Sequence, residues 1–207
     1  MIASEVVNMA SSQVGYHEKI VNTPTEYLYP FRNYYDGSDN WTKYHNDIGV
    51  SQGQPWCGFF AYWCFFEILG TAALTNQFLH NIVYYGGAVS SWANAFTTTG
   101  DYFEAGTYMP KAGDLVIFSD TDVPWSHIEF VVDVSEWPTY IGTIGGNTRN
   151  PDAGGSQSEG QWVARRRRSA TATTGFHVRG YCRVHYSDTP SNLGFVVVKK
   201  KRFTAFG

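Results

Sequence analysis

The chain has 207 residues, 43% of them hydrophobic and 17% aromatic, with 15 basic against 18 acidic groups. That length suggests one large domain, or one domain with a small appendage. Charged residues at 16% are too few for a disordered chain, and a net charge of −3 gives no global attraction to nucleic acid. The longest apolar run, residues 56–66, stops at Glu67 and is shorter than the roughly 18 residues a membrane span needs. The first basic residue is Lys19, so the basic start of a signal peptide is missing and a soluble protein made in the cytoplasm is expected. Cys57, Cys64 and Cys182 leave at least one thiol free. Neither CxxC, HExxH nor GxGxxG occurs, which argues against zinc and nucleotide chemistry.

In chain order, Ile2, Val6, Met9, Ala10 and Val14 fall at helical spacing and predict a first amphipathic helix. Residues 17–55 are polar, aromatic and rich in turn formers, and read mostly as loop. The run from Pro55 to Gly70 predicts a helix punctuated by Pro near its start and Gly at its end. Apolar all round, it belongs in the middle of the fold. A polar helical stretch follows, then a further helix at Ser90–Phe96. Beyond about residue 108 the period changes, and Leu115–Phe118, Ile128–Val134, Tyr140–Ile144, Trp162–Arg166 and Val178–Tyr186 read as strands. Helices first and an antiparallel sheet afterwards is an α+β layout. Residues 1–186 form the expected domain, and 187–207 a linker or tail.

Charge is divided unevenly, with 5 basic and 17 acidic groups in residues 1–160 and 10 basic and 1 acidic in 161–207. Alternation along a strand puts two of Arg165–Arg168 on each face, where acidic groups elsewhere neutralise some of them, so nucleic-acid binding is not expected.

Cys57 opens the apolar helix, where the helix dipole and the free N–H groups of the first turn favour negative charge on sulfur and on an oxyanion beside it. Cys64, two turns further in, reads as core. A thiol nucleophile needs a base, and of six histidines His127 opens a strand. If Ser135–Pro138 is the turn, Val134 pairs with Thr139 and His127 faces Gly146, within one residue of Asn147. The Asn147 amide can then orient the imidazole. Glu129, two residues on and on the same face as His127, is the second candidate for that role.

Four segments in order carry a more specific signal: Pro55–Trp63 around Cys57, Lys111–Phe118, Ser126–Val131 around His127, and Ile144–Thr148 around Asn147. Together they resemble the CHAP family, cysteine, histidine-dependent amidohydrolases and peptidases of papain-like fold. Residues 40–44 resemble the family's approach to the cysteine, and 163–168 and 180–184 its closing strands, so the resemblance covers roughly residues 3–186. It implies a peptidoglycan hydrolase in which Cys57 attacks a carbonyl, His127 moves the proton and Asn147 orients His127. Many family members carry Glu two residues before that Asn; here the position is Gly145, and Glu129 is the substitute. Trp56 and Trp125 are the expected groove residues, and Gln54 or Gln52 the expected oxyanion donor. No cofactor is expected, although some relatives bind calcium, and Asp36, Asp39 and Asp47 are the candidates for such a loop. The expected partner is bacterial peptidoglycan, reached by a monomer through holin-type or other release, as for a phage or prophage lysin. A non-catalytic wall-binding module of the same fold, and a thiol hydrolase of protein conjugates, are the alternatives.

Overall fold

Two kinds of apolar patterning build the two layers of the molecule. The computed structural model describes residues 1–73, 86–121, 123–150 and 159–188. Helix α1 (Ala3–Ser12) turns Val6 and Ala10 inward, and the Glu5 carboxylate accepts the Ile2 N–H at 2.8 Å to close its N-terminus. Helix α2 (Lys43–Ile48) lies inside the stretch read as loop. Its punctuation is nevertheless in the sequence: Thr42 Oγ1 accepts the His45 N–H, and Gly49 takes a left-handed φ of 73°.

Helix α3 (Cys57–Ala73) is the run that is apolar on every side, and it packs against α1 and α2 on one flank and the sheet on the other. Gly70 breaks its helical geometry with φ 66° and ψ 174°. Helix α4 (Val89–Thr99) buries Val89, Trp92, Ala93 and Phe96 and ends at Gly100. The polar helical stretch expected between α3 and α4 lies largely outside the described residues. Among the described residues, no helix is long and apolar enough to cross a membrane.

Six strands follow: β1 (Tyr102–Glu104), β2 (Leu115–Asp120), β3 (Val123–Asp133), β4 (Tyr140–Thr148), β5 (Trp162–Ser169) and β6 (His177–Cys182). They form one antiparallel sheet in the order β1-β6-β2-β3-β4-β5. The fold is therefore α+β, as the change of period implies. The β3–β4 register differs from the expected one. Phe130 pairs with Ile144 and Val131 with Thr143, while a bulge sets Asp133 opposite Gly142. The extra residue in the bulge displaces the simple hairpin count by one, and counting on from Phe130 sets His127 level with Asn147.

Alternation sends the two faces of the sheet to different surroundings. Leu115, Ile117, Ile128, Phe130, Ile144 and Val163 pack on the helices with Trp56, Phe60, Phe65 and Trp92. The opposite face carries a smaller cluster of Val116, Phe118, Val131, Ile141, Val178 and Tyr181. Of the expected tail, residues 189–207 lie outside the described residues; Ser187 N–H donates to the Met1 carbonyl at 3.0 Å.

Candidate active site

Cys57 is the first residue of α3, and the helical ladder begins with Phe60 N–H donating to the Trp56 carbonyl at 2.8 Å. The N–H groups of Cys57, Gly58 and Phe59 thus fall in the first turn, outside that ladder. The thiol lines a groove of about 640 Å³ between the start of α4, the β2–β3 turn and Glu159. Gly58 lies against the Gly86 carbonyl so closely that no side chain fits there, which lets the start of α3 approach the segment leading into α4.

His127 is fully buried on β3. Its Nε2 lies 3.2 Å from Glu129 Oε1, and Nδ1 has no hydrogen-bond partner. Burial opposes protonation, but the negative charges of Cys57 and Glu129 outweigh it and raise the imidazole pKa to about 9. With Nε2 taken by the carboxylate, Nδ1 is the nitrogen left for the sulfur.

Glu129 shares the sheet face of His127 and is itself held from three sides. Thr143 Oγ1 donates to Oε2 at 2.5 Å, and Arg168 donates through Nε to Oε2 at 3.0 Å and through Nη2 to Oε1 at 2.5 Å. Arg168 Nη2 also reaches Thr148 Oγ1 at 3.1 Å. Burial works against the charged carboxylate, yet Arg168 and then His127 hold it well below the usual carboxylate range. Gly145 explains how the acid fits. A Cβ on Gly145 would lie 2.5 Å from Glu129 Cγ and 3.0 Å from its Cδ, so Glu129 fills the space of a side chain at 145.

Asn147 is buried, with a left-handed φ of 54°. Its side chain hydrogen-bonds the Glu159 carboxylate, and its carbonyl accepts the Gly160 N–H at 3.0 Å. Glu159, which lines the groove, is a residue the sequence reading did not single out.

Two expected groove residues are elsewhere. Trp56 is 0% exposed, stacked on Tyr44 at 5.4 Å, with its indole N–H donating to Glu18 at 2.5 Å. The helix turns by roughly 100° per residue, so the neighbour of a groove-facing Cys57 faces the core. Gln54 is exposed and donates to the Ser51 carbonyl at 2.9 Å, away from the groove lining. Gln52 is engaged with both backbone groups of Thr42. Trp125 does line the groove and is 37% exposed. Glu18, also not singled out, is buried beneath Trp56; burial raises its pKa to about 7 against hydrogen bonds from Trp56 and Asn40.

The three aspartates of the calcium reading do not converge. Asp36 pairs with Lys19 and Arg32, Asp39 accepts the Val21 N–H, and Asp47 accepts Tyr29 and Trp63. These residues therefore do not fit a shared ion, and among the described residues no group of three or more His, Cys, Asp or Glu side chains is placed to hold a metal. Cys64 and Cys182 are fully buried, and burial pushes both thiols up, well above their ordinary range.

A free thiol at a helix N-terminus, a buried histidine on the facing sheet and a carboxylate behind it define the arrangement of a papain-like cysteine–histidine domain. Residues 49–147, which contain Cys57, His127, Glu129 and Asn147, match the family model of the CHAP domain, and this part of the chain is a CHAP domain. CHAP domains are generally cysteine/histidine amidohydrolases, and membership points to a function of the peptidoglycan hydrolase or amidase type. No curated protein and no solved structure matches the chain.

Proposed function

We propose that this protein cleaves an amide bond of bacterial peptidoglycan by a thiol mechanism, either between N-acetylmuramic acid and L-alanine or within the stem or cross-bridge peptide. The observation that carries the reading is that Cys57 lines the groove and acts electrostatically on the buried His127, which is held by Glu129.

In this reading the Cys57 thiolate attacks the carbonyl carbon, and the first-turn N–H groups of α3 face the developing oxyanion. The imidazolium of His127 gives its proton to the leaving amine. His127 then takes a proton from water, which attacks the thioester, releases the acid and regenerates the thiolate. Glu129 fixes the ring through Nε2, leaving Nδ1 for proton transfer, and Arg168 and Thr143 hold Glu129. Asn147, level with His127 on β4, is the alternative orienter. A phage or prophage lysin is the setting we infer, and it rests on the wall substrate alone. The non-catalytic reading drew its support from the missing acid at Gly145, and the position of Glu129 removes that support.

The test is mass spectrometry of purified peptidoglycan digested with wild type and with Cys57→Ala. New amine ends produced only by wild type are expected, and the fragment masses name the bond. A folded wild type that yields no new ends from walls of several chemotypes would overturn the reading.

A further inference from the structure

The groove that holds Cys57 has a charge of one sign. Among the described residues of its lining, the charged side chains besides the thiol are Asp120 and Glu159, and neither Lys nor Arg is present. Asp120 is the last residue of β2 and pairs with Val123 across the β2–β3 turn, so the sheet itself sets its place. It is half-buried, and its carboxylate accepts the Thr121 hydroxyl at 3.3 Å, a neutral partner; among the described residues no cation pairs with it. Glu159 is engaged by the Asn147 side chain and adds negative charge on the side of His127. Burial raises its pKa, against the Asn147 hydrogen bond and the attraction of His127.

Between Asp120 and the imidazole the wall is apolar. Val123 and Trp125, two apart on β3 and so on one strand face, both line the groove and are 53% and 37% exposed. They lead along β3 toward His127, whose fully buried ring has Nδ1 without a hydrogen-bond partner. An apolar strip that ends in a carboxylate matches a side chain with a methylene stem and a cationic tip, and it repels a carboxylate in the same place. Four residues of extended strand separate Val123 from His127, roughly 13 Å. That is too far for an amine at the scissile bond itself, and it suits one carried on the side chain of a residue close to that bond.

We propose that the groove selects wall peptides bearing a primary ammonium group on a side chain near the scissile bond, the free amine of a diamino acid, with Asp120 as its partner and Val123 and Trp125 against its methylenes. This selection rests on the peptidoglycan reading and names what the same site prefers within it.

Isothermal titration calorimetry on the full chain carrying Cys57→Ala tests this without turnover. The probes are the peptide N-acetyl-L-alanyl-γ-D-glutamyl-L-lysyl-D-alanine and its counterpart with norleucine in place of lysine, which keeps the methylenes and lacks the amine. The lysine peptide should bind about fivefold more tightly, the upper end for an ion pair still in contact with water. Adding Asp120→Asn should remove the preference by weakening the lysine peptide and leaving the norleucine peptide unchanged. With Asp120 intact, raising the salt from about 0.02 M to about 0.5 M should shrink the preference, a test that needs no second substitution. Equal binding of the two peptides, or a preference that persists in Asp120→Asn, would overturn the ammonium subsite and leave the hydrolase reading standing. Binding of neither peptide would overturn the subsite too, and the wall digest of wild type then decides whether the hydrolase reading falls with it.

Discussion

His45 on α2 and His127 on β3 are both fully buried, and both have one ring nitrogen without a hydrogen-bond partner. Their charge states nevertheless diverge. His45 packs 4.8 Å from the Phe59 ring with the Thr42 hydroxyl at Nδ1, and burial lowers its pKa to about 4 against the opposing pull of the neutral Gln52 side chain. His127 suffers the same burial, yet the Cys57 and Glu129 charges carry it to about 9. Burial alone makes a neutral structural histidine. Burial with two anionic partners makes one poised to hold and pass a proton, and that difference separates packing from candidate chemistry.

The sharpest way to break the comparison is to remove the anions one at a time. Cys57→Ala should lower peptidoglycan hydrolysis by about 10⁴-fold or more, as loss of a nucleophile does, with folding kept. It should also move the His127 titration, followed by NMR, downward from about 9. Cys64→Ala, in the core two turns away, should cost about 1–2 kcal/mol of stability and spare turnover. Equal loss of activity in the two folded variants would assign the wrong thiol.

Glu129→Gln comes next. It should cost about 3 kcal/mol, since Arg168 is left as a buried and unbalanced charge, and reduce turnover by about 10²-fold. His127 should then titrate closer to the range of His45. A His127 pKa that stayed near 9 would show that Cys57 alone sustains it. In wild type, hydrolysis that requires the imidazolium should fall as pH rises through about 9, and this basic limb should move to lower pH in Glu129→Gln. Asn147→Ala should reduce turnover only severalfold, because the partner of the ring at Nε2 is the Glu129 carboxylate. If it proves the more damaging of the two, Asn147 is the orienter.

The elements that announced themselves in the sequence are those whose pattern runs long enough to be seen. Helix α3 is apolar over several turns, and β2 to β5 each run for six residues or more. Helix α2 has six residues and β1 has three, too few to establish a period, although Thr42 and Gly49 marked the ends of α2. In the site, the spacing of two between His127 and Glu129 on one strand was enough to put both on one face. Arg168 was not separable from its three neighbours, because alternation divides Arg165–Arg168 by face and says nothing of which one meets a buried acid 39 residues away. Glu159 and Glu18 come from loops distant in sequence, and their positions follow from tertiary packing. Trp56 shows the opposite error: adjacency in sequence to Cys57 placed it in the groove, whereas helical geometry turns it into the core.

The smallest effect compares two groups that pull stability in opposite directions with pH. Between about pH 4 and 6.5 the unfolded chain protonates His45 and the folded chain does not, so this group makes the protein more stable as pH rises. Glu18 has a folded pKa of about 7, above the ordinary 4.5, so the folded state holds the extra proton and stability falls as pH rises through that window. Each contribution amounts to about 3 kcal/mol over its full range, and where they overlap they largely cancel. Urea unfolding of wild type, His45→Gln and Glu18→Gln at pH values from about 4.5 to 6.5 resolves them. Relative to wild type, the stability of His45→Gln should decline as pH rises, while that of Glu18→Gln should climb. The remaining titrating groups are common to all three proteins, so these differences isolate the two positions. Parallel curves for all three proteins would mean that neither group is held away from its ordinary protonation state, and the contrast between His45 and His127 would then have to rest on His127 alone.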